Sequence, residues 1–218
     1  MTKDFSNFLE VQTKTAWGRT LAEFASFCVP SLMSNLHPEL DEGRRSPSRR
    51  MVLDIGTGPG LLPAIFARGD HTVFGLDADF SLLASLLSPN LIQADALHLP
   101  FQPATFNLIT ASNVLFLLDD PLRALHEWKR VLSPDGELCL LNPSETLSVS
   151  AAEQLADARG LEGTARESLR NWAHNAETHF RWTEIETREL LSRAGLHLEE
   201  SALRVGPGFA RFTRACLL

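Results

Sequence analysis

Apolar positions along this chain follow two rhythms. Short runs of mostly aliphatic residues, the pattern of strands covered on both faces, occupy Met51 to Ile55, His71 to Leu76, Asn90 to Ala94, Phe106 to Ala111 and Glu137 to Leu141. Between them apolar residues recur at helical spacing. Leu61, Leu62, Ile65 and Phe66 make one such stripe, and Leu122, Leu125 and Leu132 make another. The second opens with Asp119 or Asp120 as a cap and Pro121 in its first turn, where a missing N–H costs nothing. Ser133-Pro134-Asp135-Gly136 is a tight turn feeding the fifth strand. Strands alternating with helices predict a parallel sheet with helices on both faces.

The flanks extend this picture. From Asp4 to about Pro30, the residues Phe5, Phe8, Leu9, Ala16, Leu21, Phe24 and Cys28 recur at largely helical spacing, so an amphipathic helical arm is expected, split in two at Gly18. Residues 37–50 are polar and carry Pro38, Gly43, Pro47, Arg44, Arg45, Arg49 and Arg50, which reads as a solvated linker or as charges that steer an anionic substrate. Residues 147–195 are longer than one crossover helix and divide into helices near 148–159, 163–177 and 183–194. Leu196 to Val205 and Phe209 to Leu217 are strand-like runs joined by Gly206-Pro207-Gly208; runs this close pair antiparallel. The expected whole is one α/β domain over 1–218. It has a helical cap (1–36), the linker (37–50), a core with a Rossmann-like, seven-stranded, mostly parallel sheet (51–146), a helical insert (147–195) and an antiparallel C-terminal hairpin (196–218).

Composition narrows the partners. With 44% hydrophobic and 22% charged residues, the chain suits a soluble globular protein. Its net charge of −7 argues against a nucleic-acid backbone as partner. Cys28, Cys139 and Cys216 are odd in number and set among apolar neighbours, as reduced core residues are. No apolar run approaches the roughly 18 residues of a membrane span, and the polar start lacks a signal-peptide core. A cytoplasmic protein is expected, with a homodimer allowed.

The chemistry concentrates after the first strand. Asp54-Ile55-Gly56-Thr57-Gly58-Pro59-Gly60 places glycines at alternate positions, where the backbone turns sharply and a ligand can approach closely. The dinucleotide fingerprint G-x-G-x-x-G is excluded, because Leu61 stands where its third glycine belongs. Acidic residues close the next two strands, Asp77 after the second and Asp95 after the third.

This D-x-G-x-G-x-G loop resembles motif I of class I S-adenosylmethionine-dependent methyltransferases. Gly75-Leu76-Asp77-Ala78-Asp79, Asp95-Ala96-Leu97-His98-Leu99-Pro100-Phe101, Phe106-Asn107-Leu108-Ile109 and Arg130-Val131-Leu132-Ser133-Pro134-Asp135-Gly136 resemble the later motifs of its ubiquinone/menaquinone-biosynthesis-like branch, in order. Asn107 replaces the usual Asp, and Phe116-Leu117 replace an acidic-His pair, departures that concern the substrate. The resemblance implies S-adenosyl-L-methionine as cofactor and S-adenosyl-L-homocysteine as product. Asp54, Gly56, Thr57, Gly58 and Gly60 would form the loop. Asp77, beside Ala78, would accept both ribose hydroxyls through its two oxygens. Asp95 with the Ala96 amide would bind the adenine edge, and Ser112, Asn113 and Phe116 would face the sulfonium. Asp77 and Asp79 could equally cap the following helix. The segment before motif I closes over the cofactor in that family, which nominates Gln12, Trp17 and Arg19.

The insert crowds Trp172, His174, His179, Phe180 and Trp182 together, either as substrate lid or as plain core. Phe116 and Trp172 are the candidate acceptor contacts, and His179 and His174 the candidate bases. The two histidines lie five apart, about 140° around a helix, with no partner at ligand spacing, so no metal site is expected. The chain lacks tyrosine, which leaves a pocket of Trp, Phe and His suited to a flat or apolar small molecule. Two other classes stay open, an inactive cofactor-binding subunit that regulates a partner and a nucleotide-dependent oxidoreductase.

Overall fold

The computed structural model describes residues 15–29, 49–69, 71–83 and 90–218. The first half of the expected arm, with Phe5, Phe8, Leu9 and Gln12, and the linker from 37 to 48, with Arg44 and Arg45, lie outside the described residues.

The strands are β1 (Met51–Ile55), β2 (Thr72–Asp77), β3 (Leu91–Gln93), β4 (Phe106–Ser112), β5 (Leu132–Pro143), β6 (Leu196–Arg204) and β7 (Ala210–Leu217). They form one seven-stranded sheet in the order β3-β2-β1-β4-β5-β7-β6. β1 to β5 pair in parallel, and β7 runs antiparallel between β5 and β6. The Rossmann-like sheet with its terminal hairpin is therefore the one the residue pattern predicts. Strand order reverses between β1 and β4, which leaves a crevice at the carboxyl ends of those two strands.

The helices are α1 (Ala16–Cys28), α2 (Leu61–Phe66), α3 (Phe80–Leu83), α4 (Pro121–Val131), α5 (Val149–Ala158), α6 (Gly163–Thr178) and α7 (Glu184–Arg193). Alternation along the strands divides the core between the two faces of the sheet. Val52, Leu108, Cys139 and Phe212 pack with Phe24 and Cys28 of α1 and Phe66 of α2. Leu53, Ile55, Ile109 and Leu140 pack with Leu125 and Trp128 of α4 and Leu191 of α7. A third cluster, Phe116, Leu147, Ala152, Ala173, Ala176 and Phe209, lies under α5 and α6.

Local signals set the helix ends. Asp120 caps α4 by accepting from the Arg123 N–H at 3.0 Å, with Pro121 as first residue. Ser148 caps α5 in the same way, and Thr183 with Glu186 forms a capping box at α7. α1 corrects one expectation. Gly18 does not split it: Thr15 accepts from the Gly18 N–H at 2.9 Å, so the glycine sits in the first turn of one continuous helix and is buried. The Ser133–Gly136 turn lies inside β5, where the register jumps from Phe106↔Leu132 to Leu108↔Glu137 and residues 133–136 leave the ladder. Leu132, expected on the helix face, is the buried first residue of that strand.

Candidate active site

The loop between β1 and α2 is held by its own backbone. Thr57 N donates to the Leu76 carbonyl and Gly60 N to the Thr57 carbonyl, both at 2.9 Å. Gly56 (φ 68°) and Gly58 (φ 51°) lie in the left-handed region, for different reasons. A Cβ on Gly56 would stand 2.0 Å from Val114 Cγ2, so this glycine lets the loop press against the segment after β4. A Cβ on Gly58 would meet nothing within 4 Å. Gly58 is therefore the point where the loop presents bare backbone to open space.

Asp54 lies beneath this loop, 2% exposed, and accepts from Thr110 Oγ1 at 2.7 Å. Burial pushes its carboxyl up to about 7, against the pull of the Thr110 bond. The Thr57 hydroxyl also faces Asp54 but has no partner in hydrogen-bonding geometry. Ser112 Oγ at the end of β4 and Asn142 Oδ1 near the end of β5 are likewise buried and unbonded. Such atoms typically cost about 1–3 kcal/mol each unless something binds them.

The two strand-end carboxylates differ in their partners. Asp77 Oδ2 accepts from the Gly58 N–H at 2.7 Å, and Oδ1 from the Asp79 N–H at 3.0 Å. A carboxylate offers about four lone-pair sites, so both oxygens keep capacity. Asp79, by contrast, is a cap: its Oδ1 takes the Ser81 N–H and hydroxyl at the start of α3. The Ala78 carbonyl accepts from Gln93 Nε2 at 3.1 Å, tying the β2 end to β3.

Asp95 accepts from the Leu97 N–H at 2.8 Å and contacts His98 Nδ1 at 3.0 Å; these two bonds, the first more, hold its carboxyl below the usual range. Arg123 Nη2 lies 2.5 Å from His98 Nε2, so that nitrogen accepts and Nδ1 carries the proton toward Asp95. Trp128, wholly buried, donates to the Ala96 carbonyl at 2.9 Å, and Arg130 donates to the carbonyls of Leu99 and Phe101. α4 thereby fixes the loop that carries Asp95 and Ala96.

On the other side of the crevice the two expected lid segments meet. Trp172 Nε1 donates to Asn113 Oδ1 at 3.0 Å, directly after Ser112, and Trp17 of α1 lies edge-to-face on Trp172 with centroids 6.2 Å apart. Phe116 is buried, with His179 edge-on at 6.3 Å. His179 caps the end of α6, and its Nδ1 lies 2.9 Å from the Asn175 carbonyl, which leaves the lone pair at Nε2. His174 is not brought to them. It lines a groove of about 550 Å³ between α5 and α6 with Val149, Glu153, Arg166 and Arg170, about 200° around the helix from Trp172. Trp182 stacks on Phe180 at 5.3 Å and bridges to Ser144. Among the described residues no three His, Cys, Asp or Glu side chains gather as a metal site.

Sequence reasoning missed Thr110, Val114 and Asn142. Thr110 had a signal, a polar residue inside an apolar strand; Asn142, just beyond the fifth apolar run, had a weaker one.

Comparison with known proteins now bears on this geometry. Residues 53–140 match the family model described as a methyltransferase domain. By that match and by its seven-stranded sheet the chain is similar to class I methyltransferases. A demethylmenaquinone methyltransferase of Thermobifida fusca is 34% identical over 43% of each chain. An uncharacterised methyltransferase of Schizosaccharomyces pombe is 26% identical over 65% of each. The chain thus spans between 38 and 65% of the length of the first curated relatives it matches. The magnesium protoporphyrin IX methyltransferase of Synechocystis PCC 6803, solved with S-adenosylhomocysteine bound, superposes with a TM-score of 0.59 at 15% identity, covering 89% of this chain and 83% of that one. That likeness is one of fold.

The cofactor of the domain is S-adenosylmethionine. The residues fit it: bare backbone at Gly58, a carboxylate with spare lone pairs at Asp77, and unbonded hydroxyls at Thr57 and Ser112 all lie at the carboxyl ends of the neighbouring strands β1, β2 and β4. Among the described residues no helix is long and apolar enough to cross a membrane.

Proposed function

We propose that the protein is a methyltransferase of a small, flat or apolar molecule, with the whole chain acting as one domain in the cytoplasm. The observation that carries the reading is the bond from Gly58 N to Asp77 Oδ2, which joins a ligand-accessible loop to the only strand-end carboxylate, of Asp77 and Asp95, that touches it. When bound, S-adenosylmethionine supplies an electrophilic methyl group on a sulfonium whose charge is lost in in-line displacement.

The chain's own residues then have positioning tasks. Gly56, Thr57, Gly58 and Gly60 shape the loop, with Asp54 behind it. Asp77 beside Ala78 takes ribose hydroxyls, Asp95 with Ala96 takes the adenine edge, and Ser112 stands at the reacting end. Trp17 closes the cofactor side, while Phe116 and Trp172 wall the acceptor side. Alignment and exclusion of water can supply up to roughly 7–11 kcal/mol of the barrier, so a base is needed only for an acceptor that arrives protonated. His179, beside Phe116, would take that role through Nε2; His174, in the outer groove, would need α6 to turn. A homodimer is compatible with this arrangement.

The test is transfer of a labelled methyl group from S-adenosylmethionine to a cell extract split into a small-molecule filtrate and retained macromolecules. Label in the filtrate is expected. Label only in macromolecules would overturn the acceptor class, and none in either would favour a non-catalytic binding subunit.

A further inference from the structure

One side-chain relay links the end of β4 to α6 and α1, and its anchor lies outside the glycine loop and the strand-end carboxylates. Asn113 follows β4 with φ 57°, a conformation Asn tolerates better than most residues. Its N–H donates to the Leu141 carbonyl at 2.7 Å, which pins it between β4 and β5. Its side-chain oxygen takes the indole proton of Trp172. Trp172 is half-buried and packs against both the α1/α2 cluster and the cluster under α5 and α6, and its ring meets Trp17 at 60°.

We propose that Asn113 is a positioning residue that latches the lid: through Trp172 it fixes α6, and through Trp17 it fixes α1, against the strand end that carries Ser112. The inference rests on the reading that α6 covers the acceptor side. Ala173 and Ala176 pack α6 on Phe116, but small apolar contacts leave its rotation and height loosely set. A directional bond from the indole sets both. Loosening the latch should raise acceptor KM or lower kcat.

Hydrogen exchange in the free, full-length protein tests this. Asn113→Gly removes the acceptor and suits the left-handed backbone, so the variant folds. Losing this part-buried hydrogen bond should speed opening of α6 by about five- to tenfold. Asn113→Asp, which keeps an acceptor oxygen, should restore the wild-type rate, and in a Trp172→Phe background Asn113→Gly should add nothing. Unchanged exchange in Asn113→Gly, or a full further effect in the Trp172→Phe background, would overturn the latch. Titration of S-adenosylhomocysteine into the wild-type protein separates the two readings: its failure would strike the methyltransferase reading, while the ligand-free exchange still decides the latch.

Discussion

Replacing Asp54 by Asn should remove a large part of the pH dependence of stability. Burial raises this carboxyl from 3.8 to about 7, so the folded state holds a proton that the unfolded chain has released. Stability from the group is then fully present below the unfolded value of 3.8 and is lost as pH rises through about 7. A shift of about three units at 1.36 kcal/mol per unit gives about 4 kcal/mol over that window as an upper figure. Asn has no proton to lose and keeps a carbonyl that can accept the Thr110 hydroxyl. Urea unfolding of both proteins between about pH 5 and 8 should show wild type losing about 1.4 kcal/mol per pH unit relative to Asp54→Asn up to about pH 7, then levelling. Parallel pH profiles for the two proteins would mean that Asp54 is ionised in the fold, and the burial argument would be wrong.

The glycine loop gives contrasting variants. Gly56→Ala drives a methyl into Val114 and should cost about 1–3 kcal/mol, read by thermal unfolding. At Gly58 a Cβ meets nothing within 4 Å, so the fold of Gly58→Val should survive a strain of about 1–2 kcal/mol while cofactor binding is abolished; unchanged affinity in calorimetry would refute the loop's role. Asp77→Ala should weaken S-adenosylmethionine by roughly ten- to a hundredfold, the value of a charge-assisted bond, and full affinity in the variant would remove Asp77 from the ribose site.

The helices of the insert were legible to within about two residues because Ser148 and the Thr183–Glu186 box are written locally. Gly18 misled because glycine weakens a helix by propensity, whereas here it occupies the first turn and is buried. The Ser133–Gly136 turn was visible, but its place inside one strand depends on pairing with β4, which local sequence does not encode. At the site, Asp77 and Asp79 looked alike in the sequence; only the structure shows one held by the loop and the other capping α3. His174 and His179 looked equivalent for the same reason, and helix phase with the end of α6 at His179 separates them. Trp172 was offered as either core or lid, and it packs on two clusters while donating to Asn113. Asn142 stayed hidden because an Asn after a strand reads as a simple terminator.

The most direct measurement is calorimetric titration of the full chain with S-adenosylhomocysteine, and separately with NAD and NADP. The methyltransferase reading predicts saturable one-site binding of S-adenosylhomocysteine that Gly58→Val abolishes, with no heat from either dinucleotide. Saturable binding of NAD or NADP, with none of S-adenosylhomocysteine, would contradict it.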